Sequence, residues 1–286
     1  MQGTRTTGTL RTERRAARRR VARSVHEQLG LLNAAGTEPI SRRGGKRPGA
    51  GRPPKGDRAG AAHKRRVAFS ASQPLHIVLR VEKAVIDAAG GLRKRAIYQA
   101  IREATLVVAR PEHSEQFRIV HVSIQRTHVH LVVEAQNKGA LARGMQSFQI
   151  SAAKHINAAL SRGKSLRRRR RGRVFCDRYH SEVVSSPRHA RHVLSYVLNN
   201  WRKHREDRDR HSRGWLVDPF SSGWSFSGWR QLEGRLTLWN VPESYVPMFV
   251  WLPRTWLLST GWRRHGLIDA REVPRSTEQR RRLGSR

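Results

Sequence analysis

The chain predicts an α+β domain built on one four-stranded antiparallel sheet. Three observations carry that prediction: short alternating runs rich in β-branched residues, longer stretches with apolar positions at helical spacing, and the order of the two along residues 67–206. Residues 75–81 (LHIVLRV) alternate and predict the first strand. Gly90 and Gly91 mark a turn, after which 93–109 places Ile97, Ile101, Ala104 and Val108 at helical spacing, with Arg and Glu between them. Residues 117–123 (FRIVHVS) and 129–135 (VHLVVEA) read as two strands joined across the polar turn 125–127, an antiparallel hairpin. A second helix is expected over 141–160, carrying Met145, Phe148, Ile150 and Ile156, and a fourth strand over 178–185. Pro187 suits a first helical position and opens a third helix, 188–205, with Val193, Val197 and Trp201 on one side.

The order β-α-β-β-α-β plus a following helix fits a ferredoxin-like, split β-α-β sandwich with helices on one face of the sheet and the other face left available. The flanks differ in composition. Residues 1–66 hold 18 Lys and Arg against 4 Asp and Glu, and 42–54 read RRGGKRPGAGRPP, too poor in apolar residues to bury a core. A basic disordered arm is expected there, with 12–33 able to form a basic helix. A third segment, 207–286, is rich in aromatics and arginine.

Charge narrows the partners. The 286 residues carry 58 Lys and Arg against 21 Asp and Glu, a net charge of +37, far beyond what solubility needs. Arginine dominates, as suits bidentate phosphate contacts, so nucleic acid is the expected partner. A ribosomal or histone-like role would explain the charge but not the polar residues below. The single cysteine, Cys176, rules out internal disulfides and thiolate zinc clusters and fits a reducing compartment. No apolar run approaches the roughly 18 residues of a membrane span, and no apolar stretch follows the basic start, so a cytoplasmic location is expected.

The sharpest local feature is His128-Val129-His130. In a strand, residues i and i+2 share a face, so both imidazoles project together while Val129 and Leu131 point to the helix-packed core. Neighbouring imidazoles resist joint protonation, and one divalent cation would relieve the conflict with both rings neutral. As pure pattern, a solvated pair is the more ordinary reading. Tyr196 and Asn200 lie four apart on one helical face. From pattern alone the tyrosine ring packs and the asparagine bonds locally. His121 reads as structural.

The segment VHVSIQRTHVHLVVEAQNKGALARGMQSFQISAAKHIN, followed by GRVFCDRYHSEVV and ARHVLSYVLNNWRKH, resembles the single-tyrosine HUH transposases with an IS200-like domain, and within them the REP-associated tyrosine transposase branch. The likeness covers roughly 73–206. It implies that His128 and His130 are the paired metal ligands, that Tyr196 is the nucleophile and that Asn200 completes a Mg²⁺ or Mn²⁺ site. Tyrosine attack on single-stranded DNA, with hairpin features in its target, would give a 5′-phosphotyrosine and a free 3′-OH, by a monomer or homodimer. Where the branch often has Asn-Pro, this chain has Asn200-Trp201. Gln125 and Asn199 are lesser candidates for orienting DNA. The run Arg167, Arg168, Arg169, Arg170 and Arg171, with Arg173, reads as a solvated loop that also contacts phosphates. Two other classes compete: an RNA-binding sandwich that reads bases through sheet aromatics, for which the hairpin strands lack the aromatics, and a replication initiator or relaxase with the same chemistry.

After the tyrosine helix come Trp215, Phe220, Trp224, Phe226, Trp229, Trp239, Phe249, Trp251, Trp256 and Trp262. Interleaved with arginine they suit stacking on unpaired bases. Packing against the core is the favoured reading for most of them. Residues from Arg271 onward are expected to be a basic tail.

Overall fold

A computed structural model describes residues 67–110, 114–176, 178–210, 212–233 and 244–274. The expected basic arm, Trp239 and most of the basic tail lie outside these residues. The elements run β1 (Leu75–Arg80), α1 (Lys83–Ala89), α2 (Arg95–Val108), β2 (Phe117–Ile124), β3 (His128–Ala135), α3 (Lys138–Leu160), β4 (His180–Val183), α4 (Pro187–Lys203) and the single turn α5 (Trp256–Ser259). The four strands form an open, wholly antiparallel sheet in the order β2-β3-β1-β4.

The alternation read from the sequence sorts the sheet's two faces. Leu75, Ile77 and Leu79 of β1 stand opposite Val133, Leu131 and Val129 of β3. All six join Ile97, Ile101, Met145, Phe148 and Ile156 in one core beneath α2 and α3. Asn137 caps α3 by accepting from the Ala140 amide at 2.9 Å. Gly144 of α3 lies so close to β2 that an added Cβ would fall 2.2 Å from the Phe117 ring. Gly144→Ala is therefore expected to destabilise the fold by about 1–3 kcal/mol, read as a lower denaturant midpoint with unchanged m-value.

Two expectations need correction, and one element is additional. The stretch between β1 and Gly90 forms the short helix α1, closed by Gly90 in the left-handed region at φ 64°. The fourth strand is shorter than 178–185: β4 pairs with β1 only over His180–Val183, and Phe175 makes a separate bridge to Val81. The second face of the sheet is not left free: Val120 and Val132 are buried beneath Leu194, Val197 and Leu198 of α4 and, from the C-terminal region, Phe226, Trp229 and Trp262.

A bulge keeps both halves of β2 on the first core. The β2–β3 register shifts between Ile119 and His121, so Phe117 and Ile119 before the shift and Val122 and Ile124 after it face the first core, while Val120 faces the second. The C-terminal region is pinned at several points. Buried Arg93 holds Asp218 bidentately at 2.8 and 3.0 Å and also donates to the Ile124 carbonyl at 3.0 Å. Glu134, on the second face, accepts from the amides of Arg254 and Thr255 ahead of α5. The Trp251 amide donates to the Ile119 carbonyl on β2. Packing, the favoured reading of the aromatics, holds for Phe226, Trp229 and Trp262.

His121 is buried on the second face against Ser222 and Phe226, and burial pushes its pKa down to about 4. Its ring stays neutral in the fold where the unfolded chain, at about 6.5, takes up a proton. The stability tied to this neutral ring is complete above about pH 6.5 and is lost as pH falls toward 4. A His121→Asn chain should show a shallower decline over that window, by on the order of 3 kcal/mol in denaturant titrations at pH 7 and pH 4.

Candidate active site

The polar positions of β1, β3 and β4 meet α4 on the second face. On β3 these are His128 and His130; on β1, His76 lies diagonal to His130; on β4, Glu182 stands opposite His76. α4 begins at Pro187, with Ser186 capping it by accepting from the His189 amide at 3.2 Å. The apolar face formed by Val193, Leu194, Val197 and Leu198 seats the helix on the sheet, which brings Tyr196 and Asn200 to the histidines.

The atoms converge closely. His128 Nε2 lies 2.9 Å from His130 Nε2, and the Asn200 amide nitrogen lies 3.0 Å from the same His130 atom. The Tyr196 ring stands edge-on to His130 at 5.4 Å and to His76 at 5.8 Å between centroids. On its other side, His130 Nδ1 is 3.0 Å from His76 Nε2, while His76 Nδ1 faces Glu182 at 3.9 Å. One proton assignment satisfies the chain of contacts: His76 carries its proton on Nδ1 toward Glu182, and His130 donates from Nδ1 to His76. The lone pair of His130 Nε2 then faces His128 and Asn200.

Electrostatics favour neutral rings. Burial, with His204, Arg80 and His76 nearby, pushes His128 down to about 4. His130 is driven well below its ordinary value by deeper burial, then by His76 and His128. His189 and His76 hold Glu182 well below the usual carboxylate range. Burial, followed by the Glu182 charge, raises Tyr196, so its phenol is protonated at neutral pH. Lys203 lies 5.2 Å over the Tyr196 ring, and a cavity of about 460 Å³ opens beside it, lined also by His76, Glu182, Arg188 and His189.

The donor set suits a divalent cation. Two neutral imidazole nitrogens point at each other, and the Asn200 carboxamide oxygen is buried with no hydrogen-bond partner among the described residues. The two ends of a carboxamide exchange places by a flip of the group, which would turn that oxygen toward the imidazoles. Among the described residues no group of three or more His, Cys, Asp or Glu is arranged to hold a metal, so two histidines and an amide are the available set.

The other sequence candidates lie elsewhere. Gln125 is buried in the hairpin turn and donates to Ser123 Oγ at 2.7 Å. Asn199 is fully buried and donates to the Asp269 carbonyl at 2.9 Å, so it ties α4 to the C-terminal region. Arg169, Arg170 and Arg171 line a groove against α2 and α3, the layer on the opposite face of the sheet from the histidines. Arg167 and Arg168 sit in an exposed 3-10 turn, and Arg173 pairs with Glu82 at 3.2 Å. His76 was not singled out from sequence. Its signal was there: a histidine at a polar-face position of an otherwise apolar strand.

No curated protein matches the chain. Among solved structures, a REP-associated tyrosine transposase bound to a REP hairpin aligns at 14% identity and a TM-score of 0.41, over 68% of this chain and 99% of that one. A bacterial tRNA(His) guanylyltransferase-like protein in complex with GTP aligns at 9% identity and a TM-score of 0.33, over 51% and 71%. Residues 88–200, which span both histidines, Tyr196 and Asn200, match the family described as transposase IS200 like, which supports a single-tyrosine transposase domain over that stretch.

Proposed function

We propose that the protein is a metal-assisted single-strand DNA endonuclease and strand transferase of the REP-associated branch, with Tyr196 as nucleophile. One observation carries the reading: His128 Nε2 and the Asn200 amide nitrogen each lie within 3.0 Å of His130 Nε2, with the ring of Tyr196 edge-on to His130. The strand order β2-β3-β1-β4 with α2 and α3 on one face agrees with a ferredoxin-like sandwich.

His128, His130 and Asn200 would hold Mg²⁺ or Mn²⁺, which when bound supplies polarisation of the scissile phosphodiester. His76 and Glu182 orient His130, because a proton fixed on its Nδ1 leaves Nε2 free as a donor. The Tyr196 oxygen attacks phosphorus and gives up its proton. The Tyr–O–P bond forms as the P–O3′ bond breaks, and the departing 3′ oxygen becomes a hydroxyl. The phosphotyrosine keeps a phosphodiester, so a second 3′-OH can reverse the step and join strands. Arg167–Arg171 and Arg173 supply phosphate contacts along the bound nucleic acid, and Gln125 lines the turn ahead of His128. The net charge of +37 supports strong electrostatic binding, and a cytoplasmic, nucleoid-associated location follows from such a substrate.

Incubating the full chain and Mn²⁺ with labelled single-stranded oligonucleotides, including ones with hairpins, should give a covalent protein–DNA band on a denaturing gel. Binding without any adduct under Mg²⁺ or Mn²⁺ would instead mark a nucleic-acid-binding protein on the same fold.

A further inference from the structure

A second cavity, of about 470 Å³, lies away from the histidines, between the start of α2 and two C-terminal stretches around Trp215–Phe220 and Ser244–Val246. Its size falls in the range, about 300–1,000 Å³, of pockets that enclose small organic groups. Its walls are aromatic. Trp215 and Tyr245 stand 5.2 Å apart at 57°, Tyr98 meets Phe220 edge-on at 6.1 Å, and Tyr98 and Tyr245 are 6.0 Å apart.

These rings differ from the aromatics that pack the second core. Trp229 and Trp262 are fully buried, with their indole nitrogens donating to the Gly223 and Leu258 carbonyls. Trp215, Phe220 and Tyr245 are only partly buried. The cavity is nonetheless held firmly. The Tyr98 hydroxyl donates to the Val246 carbonyl at 2.9 Å, and the Arg93–Asp218 pair fixes the floor, with the guanidinium 4.6 Å over Phe220. Burial pushes Tyr98 up to about 12 and raises Tyr245, so both hydroxyls remain neutral hydrogen-bonding groups.

The rim is cationic. Lys94 and Arg95 are exposed and make no ion pair with any described residue. Through Gln99 the cavity adjoins a basic groove of about 870 Å³ lined by Lys154, Arg162, Lys164 and Arg169–Arg171. On its other side, the Leu92 amide donates to the Arg126 carbonyl at 3.0 Å in the β2–β3 turn, immediately before His128. Flat π-faces with a polar edge, cations at the mouth and a basic track beyond suit one chemical class: a nucleobase attached to its phosphates.

We propose that this cavity receives one unpaired nucleobase of the bound DNA, stacked among Trp215, Phe220 and Tyr245, while Lys94 and Arg95 hold the flanking phosphates. The inference rests on the nucleic-acid part of the function proposed above. It makes the C-terminal aromatics a base-holding element as well as packing.

The test uses the full chain and oligonucleotides carrying 2-aminopurine or an abasic residue at successive unpaired positions. One position should show 2-aminopurine quenching on binding, and removing the base there should weaken affinity by about 5- to 150-fold, the range of one base–aromatic stack. Trp215→Ala should weaken the base-bearing strand by a similar factor and leave the abasic strand unchanged. Lys94→Gln and Arg95→Gln should weaken both strands alike and flatten the salt dependence. Equal affinity for base-bearing and abasic strands at every position would overturn the proposal, as would a Trp215→Ala defect equal on both. The abasic series needs no altered protein, so it decides even where Trp215→Ala fails to fold. Adduct formation read on the same strands keeps the two readings apart. Cleavage without base discrimination removes the cavity alone, and discrimination without cleavage upholds the cavity and removes strand transfer.

Discussion

Tyr196→Phe should abolish the covalent DNA adduct and lower strand cleavage by at least about 10³-fold, with folding, metal affinity and DNA binding nearly unchanged. The substitution removes one oxygen and keeps the ring that stands against His130 and His76 and beneath Lys203. Tyr196 is only half-buried, and the lost hydroxyl leaves no core cavity behind. Its raised pKa means that the phenol is not ionised in advance at neutral pH, so cleavage by the unaltered chain should rise with pH above neutrality as the proton is lost more readily. Mass spectrometry of peptides from trapped complexes checks the assignment. An adduct on Tyr98, Tyr179 or Tyr245, or normal cleavage by the phenylalanine chain, would defeat it.

The second large effect is expected at His130 rather than His128. His130 touches His128, His76 and Asn200 at once, whereas His128 lies at the start of β3 and is partly exposed. His130→Ala removes a proposed metal ligand and also strands buried polar atoms of His76 and Asn200, each costing about 1–3 kcal/mol. Mn²⁺ affinity by calorimetry should fall further for His130→Ala than for His128→Ala, with a lower Tm for the former alone. His76→Leu should fall between unaltered and His130→Ala, weakening Mn²⁺ by about 10- to 100-fold, because the ligand remains but its tautomer is no longer fixed. A His76→Leu chain that binds Mn²⁺ as tightly as the unaltered protein would remove His76 from any role in orienting the site.

Much of the framework was legible because it rests on local periodicity. Alternation in β3 gave Val129 and Leu131 their core-facing side, and Pro187 marked the start of α4 within one residue. Helix α1 was missed because its seven residues bury only Val85, too short an apolar pattern to register. The bulge at Val120 was also unread, although two adjacent apolar residues, Ile119 and Val120, in an otherwise alternating strand were its trace. The covering of the second face depends on partners far along the chain, such as Glu134 with Thr255 and Arg93 with Asp218, which no local window contains. At the site, His128, His130, Tyr196 and Asn200 were visible as same-face pairs. His76 needed the register between β1 and β3, which only the folded sheet supplies.

The tyrosine helix is held from two sides, and this bears on when the site can exist during synthesis. One side of α4 lies on the sheet. The other is strapped by the segment around Gly266–Glu272, through Arg191 to the Leu267 carbonyl, Asn199 to the Asp269 carbonyl and Arg202 to the Ala270 carbonyl. A ribosome that has just finished Asn200 has made every candidate ligand and the nucleophile, yet the strap is still about 70 residues away. Until residues 266–272 emerge, α4 lacks these three bonds and is seated by the sheet alone. A prematurely ended product would hold the complete set of chemical groups without the brace that aligns them.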